Sequence, residues 1–361
     1  MKKIIFIHLL NDYSGSPKVL SQVIQVVKKK GLIFELYTGK SESGFLSELT
    51  PNHNQFPYKR FENRWMTLVT FMCSQVILFF KLLKYMNKDV VIYVNTMLPF
   101  GAALAGFVIR KPVIYHVHEI SLTPLALKSF LRVIIRLTAK KIIFVSKSVK
   151  SSEQFSGKKE YVVYNALSDY FVNNTLNKKN IKTKDDFNVL MLASLKAYKG
   201  VQEFIEIAKS LESNKHISFT LIINAPHKDV NKYFKHKKFT KNIEIFSSQS
   251  YVFKFYNKAS LVLNLSHVDA WVETFGLTIL EAMAFGIPVI VPPVGGPAEI
   301  VTNGIEGYLM DSKDTNSIAK KIQELSIDKV SWARLSKNAL ECSRHYNQET
   351  FEKEIINVLH D

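Results

Sequence analysis

The chain has 361 residues, 47% of them hydrophobic, too many for one comfortable core and enough for two. Its two cysteines, Cys73 and Cys342, exclude a disulfide framework or a cysteine-built metal site and read as packing residues of a protein in a reducing cytoplasm. Of the net charge of +17, residues 1–164 carry +15, with 24 Lys and Arg against 9 Asp and Glu, so the first half is expected to meet an anionic partner: a membrane surface, a lipid diphosphate or nucleic acid.

The opening MKKIIFIHLLNDYSG imitates the start of a signal peptide, but no small-residue cleavage site follows Leu10, and residues 4–10 read as a first buried strand. Ser14, Gly15 and Ser16 form the next loop, with a helix expected to start near Pro17. A glycine before a proline in the first helical turn suits a tight, phosphate-facing junction. The stretch lacks G-x-G-x-x-G, so dinucleotide binding is not supported. Residues 65–80 are apolar and end at Lys81 and Lys84; sixteen residues are short for a membrane span, and a buried helix is expected. Further strands are predicted at 90–94, 113–116, 142–145 and 162–164, with helical segments between them, which implies a parallel α/β domain.

Within this first half, VIYHVHEI closes a strand with His116, His118 and Glu119. A His and Glu near a strand end can fix a tautomer and orient a hydroxyl. Alternation puts His116 and His118 on the same side, so either could be the functional one. Lys128, Arg132, Arg136 and Lys140 recur every four residues, which makes 124–140 an amphipathic basic helix. It reads equally as a solvated face or as a membrane-docking one.

The polar stretch 166–187, ALSDYFVNNTLNKKNIKTKDDF, reads as a linker region. A second strand series follows at 189–192, 219–223, 243–246, 261–265 and 289–291, and a helix at 350–359 ends the chain. The expected division is therefore a domain over 1–165, the linker over 166–187, a domain over 188–345 and a C-terminal helix within 346–361.

The densest information lies in WVETFGLTILEAMAFGIPVIVPPVGGPAEIV. Gly276 frees the backbone at a loop-to-helix junction, and 277–285 has helical apolar spacing. Gly286 suits the position past the helix end, and Pro288 blocks continuation. Such a helix N-terminus offers unpaired N–H groups to a phosphate. Glu273 sits just before it and Glu281 two turns into it, too far apart to share a metal or a proton. They suit hydroxyl groups at two ends of an extended ligand.

This pattern, Glu273-x7-Glu281 within ETFGLTILEAMAFGIPVI and continued by VGGPAEIV and GIEGYLM, resembles the retaining nucleotide-sugar glycosyltransferases of family four. The resemblance implies the GT-B fold, two Rossmann-like α/β domains facing each other across a cleft, with the last helix returning to the N-terminal domain. It also implies that Glu273 contacts the donor sugar, Glu281 the ribose, and Phe275, Gly276 and Leu277 the diphosphate. Lys199 and Gly200 in LKAYKG match the family's diphosphate-facing turn, although Ser194 stands where arginine is usual. Carried over in the same way, His118 lies near the transferred sugar and Gly15 near the donor diphosphate.

The implied reaction is transfer of a hexosyl group from a nucleoside diphosphate sugar to a lipid-linked or polysaccharide acceptor, in surface polysaccharide or lipopolysaccharide synthesis. No cofactor is implied. The chain has no Asp-x-Asp, so no metal site is expected and the leaving diphosphate must be balanced by Lys199 and helix N-termini. The implied location is cytoplasmic, at the inner face of the membrane. A nucleic-acid-binding role would use the same charge but lacks any recognisable module. A catalytically inactive partner subunit is the other alternative, given Ser194 and the LIINAP turn, where the family has a glycine-rich one.

Overall fold

The computed structural model describes residues 2–41, 43–176, 186–249 and 251–361. They form two compact units, Met1–Asn165 with Glu349–Asp361, and Ala166–Gln348.

The first unit contains strands β1 (Lys3–His8), β2 (Phe34–Gly39), β3 (His53–Phe56), β4 (Val90–Asn95), β5 (Val113–Val117), β6 (Lys141–Phe144) and β7 (Lys159–Val162). Their order in the sheet is β3-β2-β1-β4-β5-β6-β7, and every pairing is parallel. Parallel neighbours need crossovers, supplied by helices α1 (Gly15–Lys29), α2 (Arg64–Leu82), α3 (Phe100–Val108), α4 (Leu125–Thr138) and α5 (Lys147–Ser152). Both sheet faces are covered, which is why β1, β4 and β5 are nearly continuous apolar runs; Ile5, Ile7, Ile92, Val94 and Val113 are wholly buried. Each such side chain contributes roughly 1.5–3 kcal/mol.

The second unit begins with α6 (Asp169–Leu176) and β8 (Phe187–Ala193), followed by α7 (Val201–Ser210), β9 (Ile217–Ile223), α8 (His227–Phe234), β10 (Ile243–Phe246), α9 (Phe253–Lys258) and β11 (Leu261–Leu263). Next come α10 (Leu277–Ala284), β12 (Val289–Val291), α11 (Pro297–Ile300), β13 (Gly307–Leu309), α12 (Thr315–Ile327) and α13 (Lys329–Ser343); α14 (Gln348–His360), which from Glu349 on belongs to the first unit, is the last element. The sheet runs β10-β9-β8-β11-β12-β13, again parallel. In both sheets the order reverses once, between β1 and β4 and between β8 and β11. Loops leaving the strand C-termini diverge at such a reversal and open a crevice for a ligand.

Several expectations from sequence are corrected. Strands β2, β3 and β13 were not foreseen, and β7 lies at Lys159–Val162 instead of 162–164. Helix α1 begins at Gly15, two residues before Pro17. The linker expected over 166–187 is partly built structure, because α6 packs Phe171 against Phe253 and Phe285, and Phe187 opens β8; its residues 177–185 lie outside the described ones.

The basic face expected on 124–140 is halved. Lys128 and Arg132 both pair with the buried carboxylate of Glu153, and Arg132 also lies 5.2 Å from the Phe155 ring centre, while Arg136 and Lys140 stay exposed. Helix α2 is not the buried helix expected at 65–80. It is long and apolar enough to cross a membrane, and Trp65, Val69 and Phe80 are 76%, 61% and 65% exposed.

Candidate active site

In the second unit, the loops after β8 and β11 leave the sheet at its reversal point. The β8 loop makes a short turn, Ala197–Lys199, that ends at Gly200 with φ +73°. Gly200 is required twice. Its backbone is left-handed, and a Cβ would stand 2.2 Å from the Leu265 carbonyl oxygen on the β11 loop. Gly200→Ala is expected to lower stability by roughly 2 kcal/mol or more and to prise these loops apart, measured as a fall in the thermal unfolding midpoint.

That close approach sets the chemistry. Lys199 Nζ lies 2.5 Å from Glu273 Oε2 and donates to Ser266 Oγ at 3.4 Å, while Ser266 Oγ lies 3.4 Å from the same carboxylate oxygen. Asn264 accepts the Ser266 backbone N–H. The Tyr198 and Trp271 rings stack, centres 5.1 Å apart, and the His267 N–H donates to the Tyr198 carbonyl at 2.8 Å, so a ring contact and one further hydrogen bond tie the loops together. Burial pushes the Glu273 carboxyl upward. The Lys199 charge and hydrogen bonds from Lys199, Ser266 and Asn264 outweigh that and hold it below the usual carboxylate range, ionised at neutral pH.

Gly276 follows with φ +97° and is the N-cap of α10, with no side chain to cap the helix. The Ile279 and Leu280 N–H groups donate to the Gly276 carbonyl, while those of Leu277 and Thr278 get no side-chain cap from Gly276 and carry the positive end of the helix dipole. At the other end the Gly286 N–H donates to the Met283 carbonyl and the Ile287 N–H to that of Ala282, a glycine C-terminal motif that matches the sequence reading. Glycines 295 and 296 brace the site. The Gly296 N–H donates to the Glu273 carbonyl at 2.9 Å, and a Cβ there would come within 2.3 Å of Phe275 Cα. Phe275 itself is buried beside Tyr346, so its ring is a packing group.

Glu281, on the inner face of α10, is 5% exposed and accepts the Tyr256 hydroxyl at 2.8 Å. Tyr256 stacks on Phe285 and holds the carboxylate in one orientation.

In the first unit, the reversal point gathers a polar cluster. His118 Nε2 donates to Asn95 Oδ1 at 3.0 Å, and Asn95 Nδ2 donates to the Ser16 carbonyl at 3.1 Å, which links His118 to the first turn of α1, where Gly15 stands. The His8 Nδ1 N–H donates to the Asn95 carbonyl at 3.2 Å. His116 is wholly buried with Nδ1 2.8 Å from the Tyr93 hydroxyl, whereas His118 keeps some solvent access. Burial lowers His8 to about 4 and His116 to about 3, and lowers His118 as well, so all three imidazoles are neutral at pH 7. Neutral His118 that donates through Nε2 has its Nδ1 lone pair available.

Glu119 accepts from the backbone N–H groups of Met97 and His118, and burial nevertheless pushes its carboxyl up to about 7. Thr96, β-branched yet at φ +72°, is held beside this cluster by its N–H bond to the His116 carbonyl. A Cβ on Gly15 would meet nothing within 4 Å, so nothing in the packing requires glycine there.

Within the second unit the structure thus brings Lys199, Glu273, Gly276 and Leu277 to one strand reversal, with Glu281 further along the same helix; within the first it joins His118, through Asn95, to the α1 turn that begins at Gly15. Sequence reasoning missed Ser266, Asn264, Tyr256, Asn95 and His8, none of which carries a spacing signal. The paired glycines 295 and 296 were visible but had no assigned purpose. Among the described residues, no group of three His, Cys, Asp or Glu side chains could hold a metal ion.

Two parallel α/β units, with a lysine-carboxylate pair beside an uncapped helix N-terminus, define the architecture of the GT-B glycosyltransferases. Residues 172–341, nearly all of the second unit, match the family model for glycosyl transferases group 1. Over that segment the chain is similar to this family. An uncharacterized glycosyltransferase of Methanocaldococcus jannaschii is 29% identical over 213 residues, 58% of this chain and 56% of the relative. A sucrose synthase of Melioribacter roseus is 35% identical over 91 residues, 24% of this chain and 12% of the relative. The chain thus spans at most about half of these curated relatives. Among solved structures, Anabaena HepE in complex with UDP and glucose matches with a TM-score of 0.80 at 18% identity, over 100% of both chains. Sucrose-phosphate synthase of Thermosynechococcus elongatus matches with a TM-score of 0.76 at 16% identity, over 100% of this chain and 98% of that one. At these identities the likeness is one of fold.

Proposed function

We propose that the protein is a retaining glycosyltransferase that moves a hexosyl group from a nucleoside diphosphate sugar to a hydroxyl of a lipid-linked or polysaccharide acceptor. The observation that carries this reading is the Lys199–Glu273 pair set beside the uncapped N-terminus of α10. The ionised Glu273 accepts hydrogen bonds from sugar hydroxyls. Lys199 keeps one further N–H group for diphosphate oxygens, and the backbone N–H groups at Gly276 and Leu277 take the rest of that charge. Lys196, exposed on the same loop as Ser194, supplies a second cation. Glu281, held by Tyr256, accepts from ribose hydroxyls.

In the reaction the anomeric C–O bond to the diphosphate breaks with its electron pair on the phosphate oxygen, and the acceptor oxygen bonds the same face of the sugar. The acceptor proton passes to the leaving phosphate, so no protein nucleophile is needed. His118 Nδ1 accepts from a hydroxyl of the reacting sugar. UDP-sugars are the first donors to try, because the solved HepE structures hold UDP and UDP-glucose. A cytoplasmic place at the inner membrane face, in surface polysaccharide or lipopolysaccharide synthesis, fits the basic first half and a lipid-linked acceptor.

Thermal-shift titration with UDP-, GDP- and ADP-sugars tests the donor site. One series is expected to raise the unfolding midpoint, by about 2.7 kcal/mol of stabilisation at a hundredfold excess over Kd. Glu281→Gln is expected to weaken that series. Absence of any shift with all three would overturn the reading.

A further inference from the structure

Helix α2 is apolar on its outer face as well as its inner one. Its buried face carries Ser74 and Gln75 beside Phe71, Leu78 and Leu82, with the Gln75 side-chain oxygen taking the Gly101 N–H at 3.0 Å. The opposite face carries Trp65, Val69, Met72, Val76 and Phe80, spaced as one helical stripe and each between 42% and 76% exposed. No charged residue occurs from Trp65 to Phe80. A water-facing helix carries a polar outer face, and an apolar surface of this extent calls for an occupant.

The surface continues on α4. Phe100 of α3 touches Phe71 of α2 and Phe130 of α4, with ring centres 5.8 and 5.1 Å apart, so α3 joins the two helices. Phe130, Val133 and Leu137 then form a second exposed stripe on α4.

Charge identifies the occupant. Residues 57–88 hold six cations, clustered beyond the two ends of the stripe, against Glu62 as the single acid. Arg136 and Lys140 are exposed on and just after α4, and no acidic residue occurs from 120 to 152. Two copies of this chain would bring like charges together across such a face. An apolar centre with cations at its margins complements an anionic lipid bilayer.

We propose that the α2–α4 face docks on an anionic bilayer, with α2 lying in the headgroup plane, its Trp65-to-Phe80 stripe at the acyl boundary and the flanking cations on lipid phosphates. The helix lies on the membrane and does not span it, because Leu78 and Leu82 are wholly buried in the core of the first unit. This inference does not depend on the transfer reaction, since bilayer alone is the probe.

Flotation of the full chain with phosphatidylcholine vesicles, with and without phosphatidylglycerol, tests it. The protein should float with the anionic vesicles and less so at high salt, and Val69→Gln combined with Val76→Gln should cut binding on the order of tenfold. Both positions are exposed, so the unfolding midpoint should not move. In vesicles with brominated lipid, tryptophan fluorescence should be quenched, and Trp65→Phe should abolish the quenching yet still float. Failure of the wild type to float, equal flotation of the double variant, or self-association abolished by that variant without lipid binding would each overturn the proposal.

Discussion

Glu273→Ala is expected to reduce glycosyl transfer by on the order of a thousandfold, with donor affinity falling less than kcat. The expectation follows from charge. In the folded protein Glu273 and Lys199 neutralise each other at 2.5 Å within a partly buried site. Without the carboxylate the ammonium still attracts the diphosphate, so nucleotide binding survives. The sugar then loses its fixed acceptor, and the anomeric carbon is no longer held in line with the acceptor hydroxyl.

Lys199→Ala removes the opposite half. It leaves a carboxylate uncompensated beside an incoming diphosphate, so donor affinity and kcat should fall together. Because the two groups act as one unit, the double variant should be little worse than the worse single one, which a double-mutant cycle on kcat/KM measures. Breaking a buried pair also destabilises, so each variant needs its unfolding midpoint beside its kinetics, with Glu273→Gln as the variant of nearly unchanged volume. Near-normal turnover by a folded Glu273→Ala protein would remove Glu273 from the site.

The same pair marks where the sequence stops being legible. Glu273, Glu281 and Lys199 stand in motifs, and the runs that became β1, β4, β5, β8, β9 and β12 are apolar enough to read. The Lys199–Glu273 contact spans 74 residues and exists because β11 inserts beside β8, two strands that are not consecutive. Strand β2 hides a glutamate whose charge is met by Lys3 and by the Tyr85 hydroxyl from distant positions. Strand β3, HNQF, buries only Phe56, as a sheet edge permits. Composition of α2 fixed a helix but not its facing, because Ser74 and Gln75 find their partners inside the unit. Apolar residues in a helix read as buried by default, and only neighbouring elements decide which side they cover.

Stability of the first unit is expected to fall as pH is lowered from 6.5 toward 4. His8, His116 and His118 are held neutral by burial, His8 to about 4 and His116 to about 3. Unfolding lets each take a proton at its ordinary value near 6.5, so acid favours the unfolded chain by about 1.4 kcal/mol per pH unit for each imidazole. Glu119 acts in the opposite sense. Its carboxyl keeps a proton up to about 7 when folded and loses it near 4.5 when unfolded, so its contribution declines as pH rises between those values and is flat above them.

Between 4.5 and 6.5 three imidazoles oppose one carboxyl, and the imidazoles win. Stability should therefore climb from pH 4.5 through 6.5 and level off above about pH 7, where the two effects nearly cancel. Glu119→Gln should steepen the climb between pH 4.5 and 7 by up to one proton, whereas His118→Asn should make it shallower by close to one proton below pH 6. Urea unfolding at fixed ionic strength, read as the difference between each variant and the wild type, isolates these groups from the second unit. Variant and wild-type profiles that run parallel from pH 4.5 to 7 would mean that His118 and Glu119 are solvated and that the cluster does not link folding to protons.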